Sequence, residues 1–207
     1  NYPFTGSRPF WYNKENNFDP KRWEVFLEFL DRMTIGKSIS CEIGCGFGGL
    51  IHYMKQLGWE SYGNDHNKES EEFDSNRIKT IVMHHVIEHL RKPMDFISNL
   101  KNQFKNHQEI IGALPNSDYI LCKKDIKSNW YGYPHHLHYF NKESLEYLFR
   151  NVGYNNIHIE ASTTGMFGKE EWLGLDELKA QTNDWDSYVK ELQDNFETKE
   201  LLFYVSK

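Results

Sequence analysis

Apolar and polar residues alternate along the chain in two rhythms, one helical and one extended. In residues 20–33, PKRWEVFLEFLDRM, apolar positions recur at three and four residues and place Trp23, Phe26, Leu27 and Leu30 on one helical face. Asp19 before Pro20 reads as the start of that helix, an N-cap followed by proline at the first helical position. SISCEIG (38–44) is a short buried strand, and GGLIHYMKQLG (48–58) returns to the helical period and closes on Gly58. ESYGND (60–65) reads as a second strand and RIKTIVMHHV (77–86) as a third. IEHLRKPMDFISNLKNQF (87–104) predicts a helix and QEIIGALPN (108–116) a fourth strand. NKESLEYLFRNVGY (141–154) is a helix capped by Asn141, and NNIHIEAS (155–162) is a strand. ELKAQTNDWDSYVKELQDNF (177–196) is helical, and LLFYVSK (201–207) ends the sequence as a strand. Strands alternating with helices predict an α/β, doubly wound sheet, and the closing pair predicts antiparallel strands at one edge.

Composition narrows the partners. The 207 residues suit a single domain, 1–207, with residues 1–19 as a turn-rich aromatic arm whose Phe10, Trp11 and Tyr12 are placed to cover a ligand. A net charge of −6 and a pI near 5.9 offer no basic stripe, so no nucleic acid is expected. No apolar run reaches the length of a membrane span, and no membrane partner is expected; the reading is a cytoplasmic protein acting on a small-molecule or glycan acceptor. Cys41, Cys45 and Cys122 form neither a disulfide framework nor a CxxC pair, which fits a reducing compartment.

The chemistry concentrates in CEIGCGFGGLIHYMKQLGWESYGNDHN, residues 41–67. A glycine turn between strand and helix lets a ligand approach the backbone and the helix N-terminus. Gly44, Gly46 and Gly49 spell the GxGxxG of dinucleotide sites, while Glu42, Gly44, Gly46 and Gly48 spell E-x-G-x-G-x-G. Asp65 follows at the end of the second strand, where a carboxylate accepts both ribose hydroxyls of either NAD or S-adenosylmethionine (SAM). Glu42 separates the two: it would repel a pyrophosphate, whereas SAM carries an ammonium and a sulfonium and no phosphate. The loop therefore favours SAM.

These motifs resemble those of class I SAM-dependent methyltransferases. CEIGCGFGGL with SYGND is similar to the first two motifs. IVMHHVIEHLRKPMDFISNLKN, GALPNSD and PHHLHYFNKESLEYLFRNVGY resemble the later segments of the branch that holds ubiquinone-pathway O-methyltransferases and sugar and natural-product methyltransferases. The resemblance runs over roughly residues 38 to 160. It implies the Rossmann-like fold of seven strands with a reversed terminal strand, SAM as cofactor with S-adenosylhomocysteine as product, and a cofactor set of Glu42, Gly44, Cys45, Gly46, Gly48, Asp65, His66 and His84. One departure stands out. HNKESEEFDSNRIKT (66–80) is too short for the usual helix, third strand and acidic residue near adenine, so the third-strand edge is expected to be trimmed, with Glu71, Glu72 or Asp74 left for the adenine.

Six of ten histidines fall in two clusters, His84, His85 and His89, then His135, His136 and His138. His85 to His89 spells HxxEH, a zinc-protease pattern, but no distant third ligand is evident in the sequence. The ubiquinone-pathway relatives place acids and a histidine around magnesium here; His85 stands for one of those acids, which disfavours a hard cation, and no metal is assigned. Methylating a hydroxyl needs a base, and the candidates are His85 and His89, expected one helical turn apart, and His136. The expected activity is O-methylation of a sugar hydroxyl, whether free, nucleotide-linked or in a glycan. A small phenol, quinol or amine is the alternative acceptor. An NAD-dependent oxidoreductase and a non-catalytic SAM-fold binding protein are the other classes.

Overall fold

The computed structural model describes residues 18–65, 72–119, 135–162, 184–196 and 198–207. The arm residues Phe10, Trp11 and Tyr12, together with His66, Glu71, Cys122 and residues 177–183, lie outside them. Among the described residues, five α-helices and six strands follow in order: α1 (Glu24–Met33), β1 (Ile39–Ile43), α2 (Gly49–Gln56), β2 (Glu60–Asn64), β3 (Thr80–His84), α3 (Pro93–Gln103), β4 (Glu109–Pro115), α4 (Lys142–Asn151), β5 (Asn156–Ser162), α5 (Trp185–Asp194) and β6 (Glu200–Ser206). The strands form one sheet in the order β2-β1-β3-β4-β6-β5. β1 pairs in parallel with β2 and β3, and β3 with β4; β6 runs antiparallel between β4 and β5.

Strict alternation along the central strands divides the core between the two faces. Ile81 and Met83 of β3, Ile110 and Leu114 of β4, and Phe203 and Val205 of β6 join Ile97 and Leu100 of α3 and Leu145, Leu148 and Phe149 of α4. Their neighbours Val82, Ile111, Ala113 and Leu202 face the other way, against Phe26, Phe29 and Leu30 of α1 and Leu50 and Met54 of α2. Both faces are covered, as a mainly parallel sheet requires.

The expected elements are present with three differences. Asp19 does cap, accepting from the backbone of Lys21, but it opens a 3-10 turn at Pro20–Arg22, and α1 starts at Glu24 with Phe29 buried and Leu27 only half-buried. The helix expected from Ile87 is broken: Ile87–His89 is a 3-10 turn and α3 begins at Pro93, whose ring holds Lys92 out of the helical region. Among the described residues the sheet has six strands, β2 is the edge next to β1, and the seventh strand implied by the resemblance is absent, as the short 66–80 segment suggested.

The chain leaves β1 for β2 on one side and returns to β3 on the other. The crevice between the carboxyl ends of β1 and β3 is therefore a topological switch point, where ligands bind in open α/β sheets. The glycine loop follows β1, and the His84–His89 segment follows β3.

Candidate functional site

The glycine loop is built by backbone that only glycine adopts freely. Gly44, Gly46 and Gly48 have φ of 74°, 52° and 88°, and Gly48 then stands as N-cap of α2. A Cβ on Gly44 would stand 2.7 Å from Cγ2 of Val86, so the loop is seated directly on the segment after β3. The amides of Gly44 and Cys45 donate to the Asn64 carbonyl at 2.7 and 3.3 Å, and the amide of Gly46 donates to Oδ2 of Asp65 at 2.9 Å. Asp65, at the end of β2, thus braces the loop from the side away from β3. Glu42 lies in register with Gly63 and Val82 and is buried, so its carboxylate sits beneath the loop. Cys45 is buried too, its Sγ turned onto Gly63 of β2, which leaves its backbone as the part that faces the loop.

The histidines separate into different environments. His84, expected at the cofactor, is covered by the rings of Trp23 and Phe26, each 5.0 Å away edge-on. Burial, with help from the adjoining His85 and Arg22, holds it neutral, its pKa well below the ordinary imidazole value. It borders a shallow cleft with Lys21, Arg22, Phe26, Ser162 and Glu200.

His85 occupies a left-handed backbone position (φ 54°) at the exit of β3. Its Nδ1 lies 3.0 Å from Oε1 of Glu88 and its Nε2 2.7 Å from Oε1 of Glu200. Burial alone would lower its pKa, but the two carboxylates outweigh it, Glu200 most, and hold it at about 9. The imidazolium in turn keeps Glu88 ionised: although burial pushes the carboxyl up, the hydrogen bond and charge of His85 pull its pKa below the ordinary value. A doubly engaged imidazolium has no lone pair to accept a proton, so the expected pairing of His85 with His89 as joint bases does not fit this geometry.

His89 and His136 meet instead. Their rings are 4.8 Å apart, edge to face. Nδ1 of His89 donates to the His135 carbonyl at 3.0 Å, and its Nε2 lies 3.8 Å from Oε1 of Glu88. The amides of Leu137 and His138 both donate to the Glu88 carbonyl, at 2.8 and 3.1 Å, and fasten the later loop to the 3-10 turn. Burial lowers His136 to a pKa of about 4, with His89, His85 and His135 adding to the effect against Glu88. His138 packs on Phe140. Of the acids proposed for adenine, Glu72 and Asp74 are described, and Asp74 caps the 3-10 turn Ser75–Arg77 through the amide of Asn76.

Two residues here carried no signal that sequence reasoning recognised. Glu200 opens β6 as a lone acid before an apolar run, and it is buried against His85. Asn116, after β4, donates from Nδ2 to the carbonyls of Phe196 and Thr198 and accepts from the amide of Asp118. The burial of an acid at the head of an apolar strand was the available sign for Glu200, but its partner lies 115 residues away.

Comparisons with known proteins agree with this architecture. The methyltransferase-domain family profile matches residues 18–159. No curated protein matches. Among solved structures, a SAM-dependent methyltransferase from Archaeoglobus fulgidus superposes with a TM-score of 0.61 at 18% identity, over 96% of this chain and 100% of that one. A methyltransferase from Mesorhizobium loti gives 0.56 at 12% identity, over 92% and 100%. Phosphoethanolamine N-methyltransferase 2 from Haemonchus contortus, solved with S-adenosyl-L-methionine, gives 0.58 at 16% identity over 89% of this chain, which spans 52% of that longer one.

Proposed function

Since the chain belongs to the methyltransferase-domain family and is a class I SAM-dependent methyltransferase, we propose that it methylates a hydroxyl oxygen of a sugar, free, nucleotide-linked or in a glycan, with His89 as the proton acceptor. The residues present fit the donor. Two buried carboxylates, Glu42 and Asp65, flank the glycine loop, a charge pattern that suits a cationic ligand and opposes a pyrophosphate. Glu42 would take the methionyl ammonium and Asp65 the ribose hydroxyls, while the left-handed glycines keep side chains off the path. Bound SAM supplies a methyl on a cationic sulfur, which departs as the neutral thioether of S-adenosylhomocysteine.

The observation that carries the reading is the bond from Nδ1 of His89 to the His135 carbonyl. It fixes the orientation of the ring on the segment after β3, and a neutral His89 held in this way would carry its lone pair on Nε2, the requirement for a positioned general base. With donor and acceptor bound, Nε2 of His89 would take the proton that the hydroxyl gives up on methylation. Neutral His136 lies against the same ring and offers a hydrogen bond to a neighbouring hydroxyl. His85 is assigned a positioning role, tying Glu88 beneath the site to β6. With Tyr139 on the same loop, the ring faces and nitrogen edges give the mixture of flat apolar and hydrogen-bonding surface that polyhydroxyl ligands use. A small amine is the second reading. The buried carboxylate of Glu88, whose Oε2 has no hydrogen-bond partner among the described residues, favours a cationic group.

Methyl-labelled SAM offered with nucleotide sugars, free sugars, phenols and small amines tests this reading. The expected result is label on a sugar oxygen, with His89→Ala lowering kcat by about 10²- to 10⁴-fold and SAM affinity unchanged. Label on amines alone, or a near-normal rate in His89→Ala, would replace it with the second reading.

A further inference from the structure

Connections from the chain that enters β6 reach both ends of the loop 135–140, which carries His136. The β4–β6 ladder stops at the pair Pro115–Glu200, and side chains continue it from there. Buried Asn116 donates from Nδ2 to the carbonyls of Phe196 and Thr198 at 2.6 and 2.8 Å, and its amide donates to the Lys199 carbonyl at 3.0 Å. The next amide, that of Ser117, donates to the Phe140 carbonyl at 2.8 Å and so ties the far end of the loop to the same place. The near end is reached through Glu200. Nε2 of His85 donates to Oε1 of Glu200 at 2.7 Å, and its Nδ1 donates to Oε1 of Glu88 at 3.0 Å. The carbonyl of Glu88 then accepts the amides of Leu137 and His138. Phe196 and His85 are the two non-glycine residues with positive φ among the described residues, at 56° and 54°. Such backbone persists where surrounding contacts over-determine it, and both examples fall in this one junction.

We infer that residues 196 and 198–200 are the mount of the acceptor-side loop, and that Glu200 and Asn116 are positioning residues that set where His136 stands. Glu200 is itself fixed, since it pairs with Pro115 of β4 on one side and Ser162 of β5 on the other. A buried carboxylate is costly unless it is paired, and His85 supplies the partner, so the chain Glu200–His85–Glu88 holds together as a unit. Asn116 suits the other tie because its amide group donates to two carbonyls while its Oδ1 accepts the amide of Asp118. Aspartate would keep only the second of these functions and would set its charge against the two carbonyls. The two ties leave the same short stretch of chain in opposite directions and meet the loop at its two ends. A shift of that stretch therefore moves the whole loop rather than one end of it. That the loop faces an acceptor rests on the function proposed above, whereas the mount does not.

Residue-resolved amide exchange, followed by NMR on the full chain and corrected for intrinsic rates, tests the mount. In the wild type the amides of Ser117, Leu137 and His138 should open as one unit, with a common dependence on low urea and below the free energy of global unfolding. Glu200→Gln keeps the side chain's size and removes its charge. It should speed exchange at Leu137 and His138 about tenfold or more, the effect of one lost charge-assisted hydrogen bond. Ser117, which Glu200 does not touch, should speed with them. Asn116→Asp should likewise speed Leu137 and His138, more than 20 positions away. The amides of Gly44 and His52, on the glycine-loop side, should keep their wild-type rates in both variants. Separate opening of Ser117 and the Leu137–His138 pair in the wild type would overturn the mount, and this needs no variant to fold. Unchanged exchange at Leu137 and His138 in both variants would overturn it too, as would equal acceleration at Gly44 and His52, the mark of a general loss of stability. None of these readouts uses methyl transfer, so failure of the mount and failure of the proposed activity are told apart.

Discussion

Asp65 serves the glycine loop before it serves any ligand, because its Oδ2 already accepts the amide of Gly46. Two substitutions therefore separate its roles. Asp65→Asn keeps an acceptor for Gly46 but loses the charge, whereas Asp65→Ala loses both. A charge-assisted hydrogen bond contributes about 1.5–3 kcal/mol. SAM affinity measured by calorimetry should fall by one order of magnitude or more in Asp65→Asn and further in Asp65→Ala. Equal, small losses in the two variants would show that Asp65 braces the loop and does not bind ribose. His89 and His85, both drawn from one HxxEH string, show how little a string says about role. One is oriented by the His135 carbonyl and the other is held as an imidazolium between Glu88 and Glu200, and the deciding partners His135 and Glu200 lie 46 and 115 positions away.

At the scale of elements, Gly112 in β4 shows where sheet packing dictates a residue. A Cβ there would stand 2.0 Å from the Met83 carbonyl oxygen of β3 and 2.4 Å from the ring of Phe203 in β6. Backbone on one side and a buried ring on the other leave no cheap relief, so Gly112→Ala should cost at least the 1–3 kcal/mol typical of overpacking. Urea unfolding should show a lower midpoint at unchanged m-value; an unaltered midpoint would mean that β4 shifts freely. The elements themselves were largely legible. Period-two and period-3.6 patterns marked the six strands, and Asn141 marked α4, where it forms the expected cap with Ser144 in a reciprocal box. The turn at Ile87–His89 was not legible as such, because its residues continue the helical pattern and only Pro93 hints at the break. That misreading is also what put His85 and His89 on one helical face. The glycine loop and Asp65 were readable because their spacing is local. The Glu88–His89–His136 cluster was not, because the amides of Leu137 and His138 that assemble it are tertiary contacts.

Across the whole molecule, His85 joins what the chain order keeps apart. It sits at the end of β3 and bonds both the turn that follows and the start of β6, the reversed strand inserted between β4 and β5. Its folded-state pKa of about 9 exceeds the ordinary 6.5, so the proton it carries stabilises the fold. That contribution is complete below pH 6.5 and is lost as pH rises through about 9. Thermal midpoints should therefore decline over that interval, and His85→Gln should flatten the decline; an equally steep decline in the variant would assign it to other groups. The described residues contain no helix long and apolar enough to cross a membrane. The central claim, that the crevice between β1 and β3 takes a phosphate-free cationic cofactor, is tested most directly by calorimetric titration of SAM and NAD into the wild-type protein and Glu42→Ala. Saturable SAM binding at one per chain, no detectable NAD binding, and weaker SAM binding in Glu42→Ala are expected. NAD binding as tight as SAM, or SAM affinity untouched by loss of Glu42, would contradict it.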